Sequence, residues 1–232
     1  MNASETLVVV PQAKELGPLV ASFAAAGHQP RSSTLGRLEC HIFDGLRLVL
    51  ALGGHGKAQL AAQTQHLIEH GAGLHVVLCA GAAGSLGEGL RLGDTIVGTS
   101  TIEHDDKLRC VQRAPPRHQP DPRLLSEFRS AANTVAGEIR VHFGPIASGD
   151  EDIIDPSRAL ELREATGAVC VAWEGAGAAR AASFSGLQFL EVRAITDSAD
   201  HRAAADFEAN LARSMPNLAR ILLEWSLIRR RL

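Results

Sequence analysis

The chain has 232 residues, is 45% hydrophobic but only 4% aromatic with no Tyr, and sets 23 Lys and Arg against 26 Asp and Glu for a formal net charge of −3. Basic residues are scattered apart from Arg229-Arg230-Arg231, which argues against nucleic acid as a partner, and no run nears the ~18 apolar residues of a membrane span. Four dispersed cysteines without a Cys-x-x-Cys pair, and an N-terminus with no leader pattern, predict a reduced, cytoplasmic protein.

The length suits one domain over residues 1–232, with a core of Ala, Leu, Val and Ile. Leu7-Val8-Val9-Val10 predicts a buried strand stopped by Pro11, and residues 15–26 carry apolar side chains at helical spacing until Gly27. Strand patterns at 40–43 and 46–52 flank Asp44-Gly45, a hairpin signal. Gly53-Gly54-His55-Gly56-Lys57 breaks the second of these, and residues 58–69 read as a helix. A strand at 75–80 leads into Gly81-Ala82-Ala83-Gly84-Ser85-Leu86, read as a turn of small residues where backbone can approach a ligand. Turn and strand follow at 91–97, and the proline-rich stretch 109–122 reads as a loop or lid. Beyond it the pattern gives a helix at 123–134, a strand at 139–146, a turn at 148–150, a helix at 156–166, a strand at 168–173 and a helix at 176–185. A strand at 188–195 and a helix at 207–227, with Pro216 as a possible kink site, complete the chain. This alternation predicts an α/β fold, a mixed twisted β-sheet flanked by helices, with Gly81, Ser148, Glu174 and Asp197 gathered at strand ends.

Two acids stand out, Asp197 at the end of Gln188-Phe-Leu-Glu-Val-Arg-Ala-Ile-Thr and Glu174 at the end of Ala172-Trp173. A carboxylate beside a core costs several kcal/mol unless it is paired or used, so both point to a site. Other motifs fall away. His66-Leu-Ile-Glu-His70 has the H-x-x-E-H spacing of some zinc proteases but is more simply the polar face of a helix, and no metal is assigned. Residues 53–57 lack the spacing of a phosphate loop, 84–89 fail the dinucleotide fingerprint, and no G-x-S-x-G is present. No cofactor is implied.

Several segments in order resemble the nucleoside phosphorylase and nucleosidase superfamily, and most of all the bacterial 5′-methylthioadenosine/S-adenosylhomocysteine nucleosidases. They are Gln12-Ala-Lys-Glu15, Gly54-His-Gly-Lys57, Cys79-Ala-Gly-Ala-Ala-Gly-Ser-Leu86 with Leu92-Gly-Asp94, Glu103-His-Asp105, Ile146-Ala-Ser-Gly-Asp150, Trp173-Glu174 and Val192-Arg-Ala-Ile-Thr-Asp197. The resemblance implies a partly barrel-like sheet, a homodimer, and a small-molecule nucleoside and water as reactants. It implies cleavage of the bond between purine and ribose through an oxocarbenium-like transition state. On this reading Asp197 assists protonation of the purine, Glu15 activates water and Glu174 holds the ribose hydroxyls, with Arg193 steadying the carboxylates. The structural alternatives are a helix N-terminal charge for Glu15, a turn cap for Asp197 and an ion-paired strand end for Glu174.

Departures from the family pattern bear on the substrate. Ala172-Trp173-Glu174 keeps one acid where the nucleosidases carry two around a Met. Asp152, before Ile153, stands where an aromatic residue stacks on adenine, and Ala82, near Gly84, replaces a small polar residue and weakens the case for a bound anion. Gln12 and His55 are polar at positions that face the 5′ group and are apolar in the family, whereas Phe207 keeps its aromatic character; a 5′ substituent more polar than methylthio follows. Phe207, or the 109–122 loop, is expected to complete the partner's 5′ pocket. Phosphorolysis would need arginine donors, and Val77-Leu78-Cys79 has none where the phosphorylases place one, leaving Arg31 and Arg37 as candidates. A phosphorylase, and a nucleoside-binding module without turnover, stay open as alternatives.

Overall fold

Strand β1 (Thr6–Val10) is buried along its whole length, and its residues alternate between two cores, Val8 and Val10 in one, Leu7 and Val9 in the other. Side chains on a strand alternate faces, so an unbroken apolar run is what a strand covered on both sides needs. The computed structural model describes residues 5–107, 110 and 113–231.

Among the described residues the sheet has ten strands. β1 lies between β4 (Leu48–Leu52) and β5 (Val76–Ser85), parallel to both, and β3 (Leu38–Phe43) and β2 (Arg31–Leu35) extend the sheet antiparallel beyond β4. On the other side stand β6 (Thr95–Glu103), β8 (Val141–Ser148), β9 (Cys170–Ala172) and β10 (Gln188–Asp197), with the short β7 (Arg117–His118) on β6. Their order is β10-β6-β8-β9-β5-β1-β4-β3-β2, and β10 pairs with β5 as well. That extra pairing closes β5, β10, β6, β8 and β9 into a ring, and β1 to β4 leave it as an open arm. The mixed, partly barrel-like α/β sheet expected from the sequence is therefore the fold.

Helices α1 (Ala13–Ala25), α3 (Pro122–Thr134) and α6 (Ala203–Arg229) cover one face through Leu19, Phe23, Leu124, Phe128, Leu218 and Trp225. Helices α2 (Lys57–His70) and α5 (Gly175–Phe184) cover the other through Leu60, Leu67, Ala178 and Ala182. Helix α4 (Pro156–Thr166) starts under an Asp155 cap and stops at Gly167, whose φ of 71° is a left-handed conformation costly to a residue with a Cβ. None of the described helices is long and apolar enough to cross a membrane.

Several expectations need correction. The turn read at 81–86 is mostly strand, because β5 runs on to Ser85 on small residues that let neighbouring groups press against its backbone. β2 was not anticipated, since Arg31-Ser-Ser-Thr-Leu35 is polar and lies at the edge of the sheet, where one face meets water. The Asp44-Gly45 hairpin exists, built on a short 3₁₀ turn (Asp44–Leu46) closed by Arg47 at φ 55°. Within the 109–122 loop, β7 pairs with β6, whereas Arg109, Val111 and Gln112, and with them that part of the lid reading, lie outside the described residues. His66 is used locally, its Nε2 accepting the Arg37 amide at 2.9 Å.

Candidate active site

The ends of five elements meet around one cavity of about 400 Å³. All twelve residues given a site role from the sequence line it: Gln12, Glu15, His55, Ala82, Gly84, Asp152, Ile153, Trp173, Glu174, Arg193, Asp197 and Phe207. Phe207 lines the cavity of its own chain; it stands in the first turns of α6, and α6 packs back onto α1 and β10.

Glu15 sits in the first turn of α1 and is 2% exposed. Its Oε2 accepts the Gln12 amide at 2.9 Å, one half of a capping box, and its Oε1 accepts the Ala82 amide at 2.6 Å. Burial pushes the carboxyl up to about 7, although the Ala82 amide and Arg193 both favour its charged form. The place at the helix N-terminus that the sequence allowed Glu15 is taken up in the structure, and the same carboxyl lines the cavity.

Arg193 and Glu191 project to one side of β10 two residues apart. Arg193 Nε donates to Glu191 Oε1 at 2.8 Å, and its Nη2 approaches Glu174 Oε2 at 3.4 Å. Glu191 also receives the Thr101 hydroxyl at 2.5 Å, tying β10 to β6. Both members of the Arg193–Glu191 pair are about 1% exposed. Removing one partner of such a pair strands the other charge, at a cost of roughly 3–5 kcal/mol. Arg193→Met is accordingly expected to lower the unfolding free energy by about that amount in urea titration; a loss under about 1 kcal/mol would mean the guanidinium is dispensable to the fold. Glu191 escaped the sequence reading, although its two-residue offset from Arg193 on a strand carried the signal.

Glu174 stands at the N-cap position of α5, where it lines the cavity, and is 4% exposed. Burial raises its pKa, opposed first by Arg193 and then by His55, whose Nδ1 lies 3.6 Å from Glu174 Oε1. Asp197 is reached through an irregularity in β10. Ile195 pairs with Ala83 and Asp197 with Gly84, so Thr196 is an extra residue that bulges the strand. The bulge brings both Thr196 and Asp197 to the cavity, where Thr196 Oγ1 donates to Asp197 Oδ2 at 3.0 Å and the Ala199 amide donates to Oδ1 at 3.0 Å. Burial again raises the carboxyl's pKa, against those two donors. Thr196 and Ala199 were missed from the sequence because a bulge leaves no mark in a buried run.

Two glycines of β5 fix how closely these acids approach the backbone. A Cβ on Gly81 would sit 2.7 Å from Glu15 Oε1, and one on Gly84 would sit 2.7 Å from Asp197 Oδ1. At the rim, the loops bearing His55 and Asp152 are bound together: the Lys57 amide donates to Asp150 Oδ1 at 2.8 Å, and the Asp150 amide donates to Asp105 Oδ2 at 2.9 Å. Arg31 and Arg37 are elsewhere. Arg31 pairs with Asp44 on the surface at 3.4 Å and Arg37 borders a separate depression beside His66, so among the described residues Arg193 is the cavity's arginine.

Comparison with known proteins follows the same lines. A family model described as the phosphorylase superfamily matches residues 5–225. The 5′-methylthioadenosine/S-adenosylhomocysteine nucleosidase of Anoxybacillus flavithermus is 30% identical over 179 residues, 74% of this chain and 76% of that protein. The crystal structure of the nucleosidase of the same name from Neisseria meningitidis, in complex with methylthio-immucillin-A, superposes with a TM-score of 0.84 at 27% identity over 99% of this chain and 100% of that one. Futalosine hydrolase of Helicobacter pylori shares the fold, with a TM-score of 0.84 at 24% identity over 99% of each chain. With a match that runs through nearly all of its length, the chain belongs to the phosphorylase superfamily, beside the methylthioadenosine/S-adenosylhomocysteine nucleosidases.

Proposed function

We propose that the protein hydrolyses the N-glycosidic bond of a purine nucleoside of the 5′-substituted class named for its relatives, releasing the base and a free pentose. The observation that carries this reading is the convergence of Glu15, Glu174 and Asp197 on one cavity, each raised by burial toward the protonated form and two of them facing Arg193. Chemistry at a glycosidic carbon needs such a set. Asp197, whose proton is favoured by burial, delivers it to the base and makes the base a better leaving group. As the bond breaks, positive charge grows on the sugar, and the carboxylates lie around it. Glu15, near 7, takes a proton from the attacking water. Glu174 accepts from the sugar hydroxyls, which supply the hydrogen bonds that favour its ionised form.

Water is favoured over phosphate as nucleophile by the state of the cavity's arginine. Arg193 is already spent on Glu191, Glu174 and the Ala82 carbonyl, so no guanidinium fork is left for an anion. Incubation with a panel of purine nucleosides, with and without phosphate, tests both points. Free pentose in both conditions is the expected product; pentose 1-phosphate would make the protein a phosphorylase, and binding with no base released over hours would make it a module without turnover.

Glu174→Gln is expected to slow ribonucleosides far more than the matching 2′-deoxyribonucleosides. A charge-assisted hydrogen bond is worth roughly 1.5–3 kcal/mol, and a 2′-deoxy sugar cannot use the part contributed by that hydroxyl. Equal losses on both sugars would remove Glu174 from ribose binding. The reading also takes the whole of residues 1–232 as one domain, working in the cytoplasm as a homodimer. Sedimentation velocity at micromolar concentration checks the last point, a monomer being the result that contradicts it.

A further inference from the structure

Glu174 is approached on its two oxygens by different groups. Arg193 faces Oε2, while His55 Nδ1 stands 3.6 Å from Oε1. The imidazole is held in place there. It lies against the Trp173 indole, with ring centroids 4.2 Å apart and planes inclined by 43°, and its loop is anchored through the Lys57 amide on Asp150. A carboxylate facing Nδ1 favours the tautomer with the proton on that nitrogen, and this leaves Nε2 as an acceptor. The ring lines the cavity with half of its side chain exposed, and His55 makes no hydrogen bond to another of the described residues.

The position of this acceptor along the cavity follows from its neighbours, and the inference rests on the nucleoside reading given above. Asp197, Ala199 and Ile153 cluster at one end, because Ala199 donates to Asp197 and packs in one apolar group with Ile153. With the base at Asp197 and the sugar hydroxyls at Glu174, the 5′ carbon extends past Glu174, on the side where His55 stands. An alkylthio group offers nothing to an imidazole nitrogen. We propose that His55 is a specificity-determining residue whose Nε2 accepts a hydrogen bond from the 5′ end of the substrate. Among 5′ groups the protein then prefers those that carry a donor, a hydroxyl being the smallest, over those that carry none, such as methylthio.

Calorimetry on the full chain carrying Asp197→Asn, which is expected to hold nucleosides without cleaving them, provides the test. The probes are adenosine and inosine, their 5′-deoxy counterparts, and 5′-methylthioadenosine. The hydroxyl compounds are expected to bind about tenfold more tightly than the 5′-deoxy ones, the usual worth of one hydrogen bond. Adding His55→Leu should erase that difference. His55→Asn, which keeps a donor toward Glu174 but loses the distal acceptor, should erase it too, whereas His55→Gln, which reaches as far as Nε2, should restore part of it. Equal binding with and without the hydroxyl, tighter binding of the methylthio compound, or a preference that survives in His55→Leu would each overturn the proposal. A parallel base-release assay on the otherwise native chain separates the two readings. Release without hydroxyl preference defeats the role of His55 alone; preference without release defeats the hydrolase alone; failure to bind any nucleoside defeats both.

Discussion

Asp197→Asn is expected to abolish base release, by about 10²–10⁴-fold, while the fold and nucleoside binding persist. The substitution is nearly isosteric and preserves both local contacts: the amide oxygen still accepts from Ala199, and the amide nitrogen can donate to the Thr196 hydroxyl in place of receiving from it. What is lost is the proton. Burial favours that proton on the native carboxyl, and an amide cannot release one to a departing base. Chromatographic measurement of free base, beside a thermal melt of the same sample, reads the two halves separately. A variant that keeps more than about a tenth of native turnover would end the assignment of Asp197 as the acid.

Glu15→Gln should be comparably inactive, by about 10²–10⁴-fold, yet should gain stability relative to the native protein as pH rises. An unfolded Glu loses its proton near 4.5, whereas the buried Glu15 holds its own up to about 7. Between those values the folded state binds a proton that the unfolded state has released, so stability falls as pH rises through the window, and the loss is complete above it. The gap corresponds to roughly 3 kcal/mol. Glutamine does not titrate, and the one backbone N–H that its nitrogen cannot accept is a cost independent of pH, so the stability of the variant relative to the native protein should rise by about that amount from pH 5 to pH 8. Urea titrations at both pH values measure it. A constant difference would show that Glu15 is ionised in the folded protein throughout.

The sequence carried the elements whose burial is simple. An apolar run such as Leu7 to Val10 has few alternatives to a strand covered on both sides, and Asp121-Pro122 and Asp155-Pro156 mark helix starts chemically. The acids at strand ends were legible because charge beside a core is costly, and the resemblance then attached functions to them. What stayed hidden depends on contacts between segments far apart in the chain. The pairing of β10 with β5 that closes the ring, the extra residue at Thr196 and the Thr101–Glu191 bond have no local signature. Small residues misled at 81–86 for the same reason: Gly81 and Gly84 make room for carboxylates from other elements, and a single strand gives no hint of what will lean on it.

That leaning divides the cavity by how freely it can change. Glu15 and Asp197 rest against bare backbone, so even one added methyl at Gly81 or Gly84 would dislodge an acid without altering any ionisable group. His55, Asp152 and Phe207 line the same cavity but are exposed or half-buried, and among the described residues no hydrogen bond ties them to Glu15 or Asp197, so their exchange leaves those two acids seated. A molecule built this way can acquire a new substrate by exchanging its rim while its chemistry stays fixed. For an engineer the order of work follows: vary residues 55, 152 and 207 together, and leave β5 alone.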